Sequence, residues 1–565
     1  MDQPASDNRP PAALSRRQAL RLFGGAAATA ALAACGGATP TTAPGGAASI
    51  APGGTATAGA APTAATAARP AGSAVASAPA GGTASAIRIP ASGARLPTER
   101  VNFRWIDSGD LKALFYRKYF AAYQGAHPNI TVQYDPLPFT EIQKIVPLGV
   151  QNGNAHDVFQ LPPNVPPGQA VREGWAVPID DIVPNFQQWK ANFPFGSFVD
   201  GVHVFDGKAY TFPLTSNKRY DTLTFYNTEL LGRAGYDPGT KPLTWGEYRA
   251  AAKKVTEQGK GQYFGVIFGA KSPARLAAFV RNLARMAGTP AGSGDISVND
   301  IDFRTGQYAY TSAGYLAAID LLLALNADGS VFPGSLSLGE VEARSRMPQG
   351  VAGIILEGPW NIPQWPRENA NFQFGVASQP VPDSGTPLPL TFFETGANQV
   401  FVYAKSPNKA IAGDMFSYIG SEEGQTQVVI ASEGNLRALF PRANDLAQES
   451  RQLDLKASAA LKLFQEQIRT GPAPVIRNPD AGQVASELKA LKPDFGEVLQ
   501  GLFSGQLKDP KAAMKDLQDR AGAELERAIK ATVAKGAKVS RDDWKFANFD
   551  PTKDYTQADY EALKR

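Results

Sequence analysis

The stretch Val101-Asn102-Phe103-Arg104-Trp105-Ile106 alternates with a period of two, which predicts a β-strand. A helical pattern follows and stops at His127-Pro128, before a second strand over Ile130–Tyr134. A second helix over Thr140–Gln151 and a third strand over Asp157–Leu161 continue the pattern. This β-α-β-α-β order predicts a parallel sheet with right-handed crossovers, and therefore an α/β fold.

Ligand contacts are expected at the carboxyl edge of this sheet, because open α/β sheets bind ligands beyond the carboxyl ends of their strands. The residues that this rule selects are Trp105, Asp107, Ser108, Gln160 and Leu161. For Trp105, stacking on a ligand and packing in the core remain equally open.

Composition excludes several classes of protein. The 565 residues include 56 Lys+Arg and 52 Asp+Glu, and a net charge of +4 is too small to favour nucleic acid or an acidic membrane as the main partner. One Cys and three His cannot supply a Cys/His zinc site or an intramolecular disulfide. Beyond residue 40 no run approaches the ~18 apolar residues of a membrane span. We predict no cofactor and no metal, although carboxylate metal sites remain open.

Residues 1–35 have the pattern of an export signal. The pair Arg16-Arg17 precedes an apolar run, Leu22–Ala34, that is too short to span a bilayer. The pair resembles a twin-arginine signal, but Ala19 stands where a large apolar residue is usual, so the export route remains open. Leu32–Cys35 resembles the lipobox of bacterial lipoproteins. We therefore expect lipidation at Cys35 and an anchor on the outer face of the cell membrane; the alternative is an incidental thiol.

Residues 36–97 are predicted to form a disordered linker rich in Ala, Gly, Pro and Thr. From Thr41 to Ala86, 43 of 46 residues are Ala, Gly, Ser, Thr or Pro. Such a segment buries too little apolar surface to offset its ordering entropy. The folded region is expected to begin near Thr98.

Six short motifs follow one another along the chain, at Glu173–Asp180, Asp206–Pro213, Phe225–Leu231, Ala234–Glu247, Gly350–Trp360 and Ser406–Gln425. In the same order, they resemble motifs of extracellular solute-binding proteins of the family 1 type. These are the substrate-capturing lipoprotein subunits of ABC importers, commonly for sugars. The resemblance runs from Val101 to Ile529. Two segments depart from it: Leu214–Thr224 is slightly long, and Val539–Arg565 extends past the usual last helix.

The resemblance implies a two-lobed periplasmic-binding-protein-like fold of type II, with a ligand cleft between the lobes. Lobe 1 is expected to comprise residues 98–213 and 399–450, and lobe 2 residues 214–398 and 451–565. The implied function is capture of a solute, a mono- or oligosaccharide, by hinge closure and its delivery to the transmembrane subunits of a permease. A monomer that binds no nucleic acid is expected.

Further ligand-binding residues are expected where the chain crosses between the lobes. Trp360 follows Gly358-Pro359 and can stack on a sugar ring, the alternative being a core position. Asn217 and Arg219 follow the turn at Pro213 and can face the cleft or lie on a solvated loop.

The second presumed crossing adds Glu394 and Asn398, which flank Gly396. Arg437 can bind a carboxylate or hydroxyl groups of a ligand, or form a surface ion pair.

The chain is not predicted to be an enzyme. It has no Gly-x-Ser-x-Gly motif and no phosphate loop ending in Gly-Lys-Ser/Thr. Paired carboxylates nevertheless leave open a secreted, lipid-anchored polysaccharide hydrolase. Within the binding class, a non-sugar solute such as a glycerophosphodiester or a polyamine also remains open.

Overall fold

The computed structural model describes residues 87–109, 112–162, 165, 167–292 and 299–563. The predicted signal segment, Cys35 and linker residues 36–86 lie outside the described residues. Among the helices described, none is both long and apolar enough to cross a membrane.

The described region contains strands and helices that alternate along the chain. The strands are β1 Val101–Asp107, β2 Ile130–Pro136, β3 Val158–Phe159, β4 Val204–Phe205, β5 Lys208–Ala209, β6 Leu223–Asn227, β7 Phe264–Val266, β8 Ala352–Glu357, β9 Phe374–Ala377, β10 Leu390–Phe392, β11 Phe401–Val402 and β12 Ile468–Thr470. The first ten helices are α1 Lys112–Ala126, α2 Phe139–Asn152, α3 Pro167–Arg172, α4 Phe186–Ala191, α5 Thr228–Arg233, α6 Trp245–Gly259, α7 Pro273–Met286, α8 Ala313–Ala327, α9 Glu340–Arg346 and α10 Asn361–Glu368. The others are α11 Lys409–Ile419, α12 Glu422–Ala431, α13 Pro441–Glu449, α14 Leu455–Gln467, α15 Pro474–Arg477, α16 Ala481–Glu487, α17 Phe495–Phe503, α18 Pro510–Ala534 and α19 Gln557–Ala562.

Lobe 1 is built on the sheet that the opening stretch predicts. Its strand order is β11-β3-β1-β2, with β1 parallel to both β2 and β3 and with β11 antiparallel to β3. Helix α1 covers one face and buries Phe115 and Tyr119 against the sheet and α11. The predicted α/β architecture is therefore confirmed, with the carboxyl ends of β1 and β2 at one edge.

Lobe 2 is built on a second four-stranded sheet of order β7-β8-β6-β9. This sheet is mixed, because β6 runs antiparallel to β8 and β9 whereas β7 and β8 are parallel. Helices α7 and α8 pack together beside it and bury Leu283 and Leu322.

Three segments of chain pass between the lobes, and two of them are paired with each other. The backbones of Thr215 and Ala397 form an antiparallel bridge, and those of Ser216 and Arg437 form another. Further along the chain, α13 packs on α12 in lobe 1 whereas α14 contacts β9 in lobe 2, so the chain changes lobe within residues 450–454. We refer to residues 213–219 and 393–398, which pass between the lobes, together with residues 435–437, which are bridged to the first of them, as the crossing segments.

Both ends of the described region extend the predicted boundaries. Ile87, Ile89 and Leu96 pack against the lobe 1 core, so the fold includes residues 87–97, which the sequence assigns to the linker. The C-terminal residues after 538 were assigned to lobe 2, but Phe546 and Tyr560 share one apolar cluster with Val199 of lobe 1 and with residues of lobe 2. The C-terminal segment therefore contacts both lobes.

Candidate solute-binding cleft

A cavity of about 200 Å³ lies where the carboxyl edge of the lobe 1 sheet faces the crossing segments and the end of β8 in lobe 2. Its lining residues are Ser108, Gly109, Lys112, Phe139, Arg219, Trp360, Asn398, Asn435 and Leu436. Four of them, Ser108, Arg219, Trp360 and Asn398, are predicted site residues. We call this cavity the cleft.

The lobe 1 side of the cleft is a tight loop between β1 and α1. Gly109 has a positive φ of 63°, and a Cβ atom there would lie 2.8 Å from Cβ of Pro136 at the end of β2, so only glycine fits. The side chain of Gln160 holds this loop, because its Oε1 accepts hydrogen bonds from the Ser108 amide at 2.9 Å and from Lys112 Nζ at 3.0 Å. Gln160 thus positions the cleft lining without being part of it.

Asp107, at the end of β1, stabilises the same loop from its buried side. Its side chain is fully buried and accepts hydrogen bonds from the Gly109 amide at 2.6 Å and from the Tyr134 hydroxyl at 3.0 Å. Burial raises the pKa of Asp107, although Lys112 at 3.8 Å acts in the opposite direction. In this structure Asp107 is a support for the loop and does not line the cleft.

Trp105, for which the sequence leaves ligand stacking and core packing equally open, lies in the core and not at the ligand-facing edge. Its side chain is completely buried, with ring centroids 5.1 Å from Tyr116 and 6.1 Å from Phe416. Its Nε1 donates to Asp107 Oδ2 at 3.0 Å. The side chains of a strand alternate between faces, and Trp105 points to the face that α1 covers.

On the lobe 2 side, the half-buried Trp360 joins β8 to α10. Its ring folds back over Gly358, where a Cβ atom would lie 2.2 Å from the ring, so this glycine admits the tryptophan. The guanidinium groups of Arg219 and Arg344 lie 5.7 and 5.8 Å from the ring centroid. These distances are typical of cation–π contacts, which fix the plane of the indole.

Two polar atoms of the cleft lining are buried without a hydrogen-bond partner among the described residues: Nε1 of Trp360 and Oδ1 of Asn435. Buried polar atoms are nearly always hydrogen-bonded, so an unpaired donor and an unpaired acceptor beside one cavity suit a ligand that offers both kinds of partner. A hydroxyl group is such a partner.

Asn398 connects the lining to the crossing segments. It adopts a positive φ of 60°, which asparagine tolerates better than most residues. Its Nδ2 donates to Thr215 Oγ1 at 2.9 Å, and its Oδ1 lies 3.5 Å from Lys112 Nζ. Asn398 therefore links the second crossing segment to the first one and to α1.

Asn217 and Glu394 join the crossing segments to each other and do not line the cleft. Asn217 Nδ2 donates to the Phe393 carbonyl at 3.2 Å, and the Asn217 amide donates to Glu394 Oε1 at 3.0 Å. Glu394 also accepts from the Gly396 amide at 2.9 Å and from the Ser216 hydroxyl. These bonds make Asn217 and Glu394 links between the crossing segments in this structure.

Arg437 faces away from the cleft. Together with Glu394 it lines a second cavity of about 460 Å³ on the other side of the crossing segments, which we call the hinge cavity. The predicted site residues therefore lie in different places. Ser108, Arg219, Trp360 and Asn398 line the cleft, and Glu394 and Arg437 line the hinge cavity. Asp107 and Gln160 support the loop after β1, Asn217 links the crossing segments, and Trp105 lies in the core.

Five residues of the cleft lining, Gly109, Lys112, Phe139, Asn435 and Leu436, are not among the predicted site residues. Phe139 follows the carboxyl end of β2 and is 40% exposed, so the carboxyl-edge rule could have identified it. Lys112 is the first residue of the helix that follows β1, so the same rule could have identified it. Asn435 and Leu436 lie in a loop without periodicity, and no local signal indicates them.

Behind Trp360 a buried ion-pair network ends at β8. Arg275 contacts Asp221, and lies 3.4 Å from Glu340 and 3.6 Å from Glu357. Burial raises the pKa of Glu357 to about 7, even though Arg275 opposes this shift. Burial also favours the neutral form of Asp221, but the ion pair with Arg275 outweighs it and lowers the pKa of Asp221.

The chemistry of the cleft is that of a binding site. It offers two aromatic rings, those of Trp360 and the exposed Phe139, together with two amides, a hydroxyl and two cationic side chains. No group of three or more His, Cys, Asp or Glu side chains in the described residues could hold a metal ion.

Comparison with known proteins gives matches over most of the described region. Residues 109–426 match the family model of bacterial extracellular solute-binding proteins. Binding proteins of Brucella abortus (strain 2308) and Brucella suis biovar 1 (strain 1330) are each 23% identical over 311 residues, which cover 54% of this chain and 68% of theirs.

Solved structures share the fold. An ABC transporter solute-binding protein of Thermotoga lettingae TMO, bound with α-D-tagatose, has a TM-score of 0.52 at 19% identity and covers 76% of this chain and 100% of its own. The GacH receptor of Streptomyces glaucescens, solved unliganded and with acarbose, has a TM-score of 0.52 at 18% identity, with 75% and 98% covered. These likenesses support the predicted two-lobed, periplasmic-binding-protein-like fold of this chain. Because the family match spans more than half of the sequence, the chain belongs to the bacterial extracellular solute-binding protein family.

Proposed function

We propose that this protein is the substrate-binding lipoprotein of an ABC importer, which captures a mono- or oligosaccharide in the cleft and presents it to a membrane permease. The observation that carries the proposal is the tryptophan of the cleft lining. Trp360 has an indole ring whose centroid lies 5.7 and 5.8 Å from two guanidinium groups, and an indole N–H without a partner among the described residues. A sugar ring offers an apolar face to stack on the indole and hydroxyls to bind its N–H.

Capture is proposed to proceed by closure of the lobes. The cleft lining comes from both lobes and from the crossing segments, so movement about these segments changes the distance between Ser108 and Trp360. A micromolar solute supplies about −8 kcal/mol, which is enough to favour a closed form that differs from the open form by a few kcal/mol.

Among solved relatives in fold, the Thermotoga lettingae protein is bound with α-D-tagatose and the Thermus thermophilus protein, which has a TM-score of 0.50 at 18% identity, with maltotriose. These saccharides are suitable first probes. The experiment is calorimetry and thermal shift of the full chain with each, followed by analysis of the recovered saccharide. A raised melting temperature with intact saccharide supports capture; hydrolysis products would favour the hydrolase alternative.

A glycerophosphodiester is the second candidate solute, because Lys112 and Arg219 give the cleft lining two cations. Cations favour a phosphate and disfavour a polyamine. Binding of a glycerophosphodiester with no response to any saccharide would replace the first candidate by the second.

The anchor is proposed to be a lipid on Cys35, with export by the twin-arginine route as one possibility. Cys35→Ser should move the protein from the membrane fraction to the medium or periplasm. Retention of the Cys35→Ser protein in the membrane fraction would contradict lipid anchoring at this residue.

A further inference from the structure

The hinge cavity has a lining that no part of the solute-capture function explains. It occupies about 460 Å³. Its lining comes from residues 194–197 of lobe 1, the crossing segments, residues 438–444, Thr470 and residues 554–558 of the C-terminal segment. All the residues that line it are described.

Arg437 is the group in this cavity whose charge is least compensated. Its Nη1 donates to the Lys218 carbonyl at 2.6 Å, and none of the ion pairs within the described part of the chain includes it. Burial lowers the pKa of Arg437 to about 10, although Glu394, Asp554 and Asp445 oppose this shift from a distance. The guanidinium therefore stays protonated at neutral pH without a carboxylate in direct contact.

The two carboxylates that line the cavity are committed to other partners. Glu394 accepts hydrogen bonds from the amides of Asn217 and Gly396, as described above. Asp554 lies 3.5 Å from Lys218 Nζ and accepts from the Thr470 amide. Neither forms an ion pair with Arg437, so the guanidinium remains available to an external anion.

Apolar side chains complete the lining near Arg437. They include Phe195, which is 55% exposed and whose ring lies 6.3 Å from that of Tyr560, together with Leu439, Pro441 and Tyr555. An exposed phenylalanine at the edge of a cavity is a contact surface for an apolar or aromatic group.

We propose that the hinge cavity binds a small carboxylate with an apolar or aromatic body, the carboxylate being held by Arg437 and the body by Phe195 and Leu439. The guanidinium presents a planar set of donors that matches a carboxylate in two parallel hydrogen bonds. This site is distinct from the cleft, because the crossing segments separate the two cavities.

The test uses benzoate as the probe, with the full chain, by calorimetry and saturation-transfer NMR. We expect benzoate to bind, and benzyl alcohol, a neutral analogue, to bind roughly tenfold more weakly or not at all, since charge-assisted hydrogen bonds are the stronger ones. Arg437→Gln should weaken benzoate binding by about tenfold or more. Arg442→Gln is the matched control, because Arg442 is exposed and pairs with Glu449 at 2.7 Å.

A second variant keeps the test decisive if Arg437→Gln disturbs the hinge. Phe195→Asp places a negative charge at an exposed edge of the cavity and should weaken benzoate binding, whereas Leu455→Asp, at another exposed apolar position, should not. The proposal is overturned if benzoate does not bind or if benzyl alcohol binds equally well. Binding unchanged by both Arg437→Gln and Phe195→Asp, or abolished by Trp360→Ala, which would assign benzoate to the cleft, also overturns it.

Discussion

The cleft and the hinge cavity share the crossing segments as a common partition, but the two sides differ in chemistry. The cleft side carries Trp360 and Asn435, each with a buried polar atom that lacks a partner among the described residues. The hinge side carries charged groups, of which Glu394 and Asp554 are bonded within the protein. The comparison indicates that the unpaired amide and indole groups of the cleft suit a ligand with hydroxyl groups. The guanidinium of Arg437, which has no ion-pair partner among the described residues, suits an anion in the hinge cavity.

One short crossing segment, residues 213–219, contributes side chains to both cavities. Lys218 and Arg219 are adjacent, yet Lys218 lines the hinge cavity and Arg219 lines the cleft. The chain turns here, because the Arg219 amide donates to the Asn217 carbonyl at 2.7 Å, and the two side chains therefore point to different cavities. Glu394 and Asn398 are divided differently, because Gly396 and Asn398 both have positive φ and turn the chain between them.

The largest expected effect separates Trp360, which immediately precedes α10, from Trp365, which lies within it. Trp365 is fully buried, with its ring 5.3 Å from Phe225 and 4.9 Å from Phe374, so Trp365→Ala should lower the free energy of unfolding by about 4 kcal/mol. Trp360→Ala should leave stability nearly unchanged and weaken solute binding by about 2 kcal/mol, or roughly thirtyfold. Urea unfolding and calorimetry measure the two quantities.

The pair of variants serves as its own control, since both remove an indole from the same short helix region. A large loss of stability in Trp360→Ala with unchanged affinity would show that Trp360 belongs to the core. The cleft would then lose the residue on which its assignment depends.

The sequence predicts the fold better than the site. The strands of lobe 1 are correctly indicated because period-two patterns and short turns are local properties, and β1 begins at the predicted Val101. Trp105 was undecided between core and cleft because which face of a strand is covered depends on where α1 packs, which is a property of the whole lobe.

The sequence indicates where residues of the crossing segments lie, but not which of the two cavities each side chain faces. Arg437 and Asn435 are two residues apart in one loop, and the sequence selected the one that lines the hinge cavity for the cleft. The bridge between Ser216 and Arg437 joins residues far apart in the chain, so no local pattern could indicate which side each would face. Phe139, in contrast, lay within reach of the carboxyl-edge rule.

The next largest effect concerns pH and the network behind Trp360. Because the pKa of Glu357 is about 7 in the folded protein and 4.5 ordinarily, folding favours its protonated form. Its contribution is fully present below about pH 4.5 and is lost as pH rises through about 7, an effect of ~3 kcal/mol between pH 5 and 8. Glu357→Gln should remove this part of the pH dependence of unfolding.

The matched control for Glu357 is Glu433→Gln, because Glu433 is exposed and pairs with Arg367 at 2.8 Å. The Glu433→Gln substitution should alter the free energy of unfolding by at most about 1 kcal/mol. If the wild-type protein and Glu357→Gln lose the same stability between pH 5 and 8, Glu357 stays charged over this range. Its protonation then contributes nothing to the pH dependence of the free energy of unfolding.

A smaller effect is expected from the hinge side. Glu394→Gln keeps the shape of the side chain but weakens its hydrogen bonds to the amides of Asn217 and Gly396, and should lower the free energy of unfolding by about 1.5 kcal/mol. Faster amide hydrogen exchange at these two residues would accompany the loss. Glu449→Gln, at an exposed ion pair, should show neither change. Unaltered exchange in Glu394→Gln would mean that the crossing segments are held together without this carboxylate.

The smallest effect tests the unpaired amide of the cleft. Asn435→Ala removes an acceptor that makes no hydrogen bond within the described residues, so the free protein should keep its stability while solute binding weakens by about 1 kcal/mol, or roughly fivefold. Asn371→Ala, at an exposed position, is the control. Asn435→Asp retains an acceptor oxygen and should recover part of the binding of a neutral saccharide. If Asn435→Ala binds the solute as the wild-type protein does, the unpaired amide is not a ligand contact, and the chemical difference between the two cavities rests on Trp360 alone.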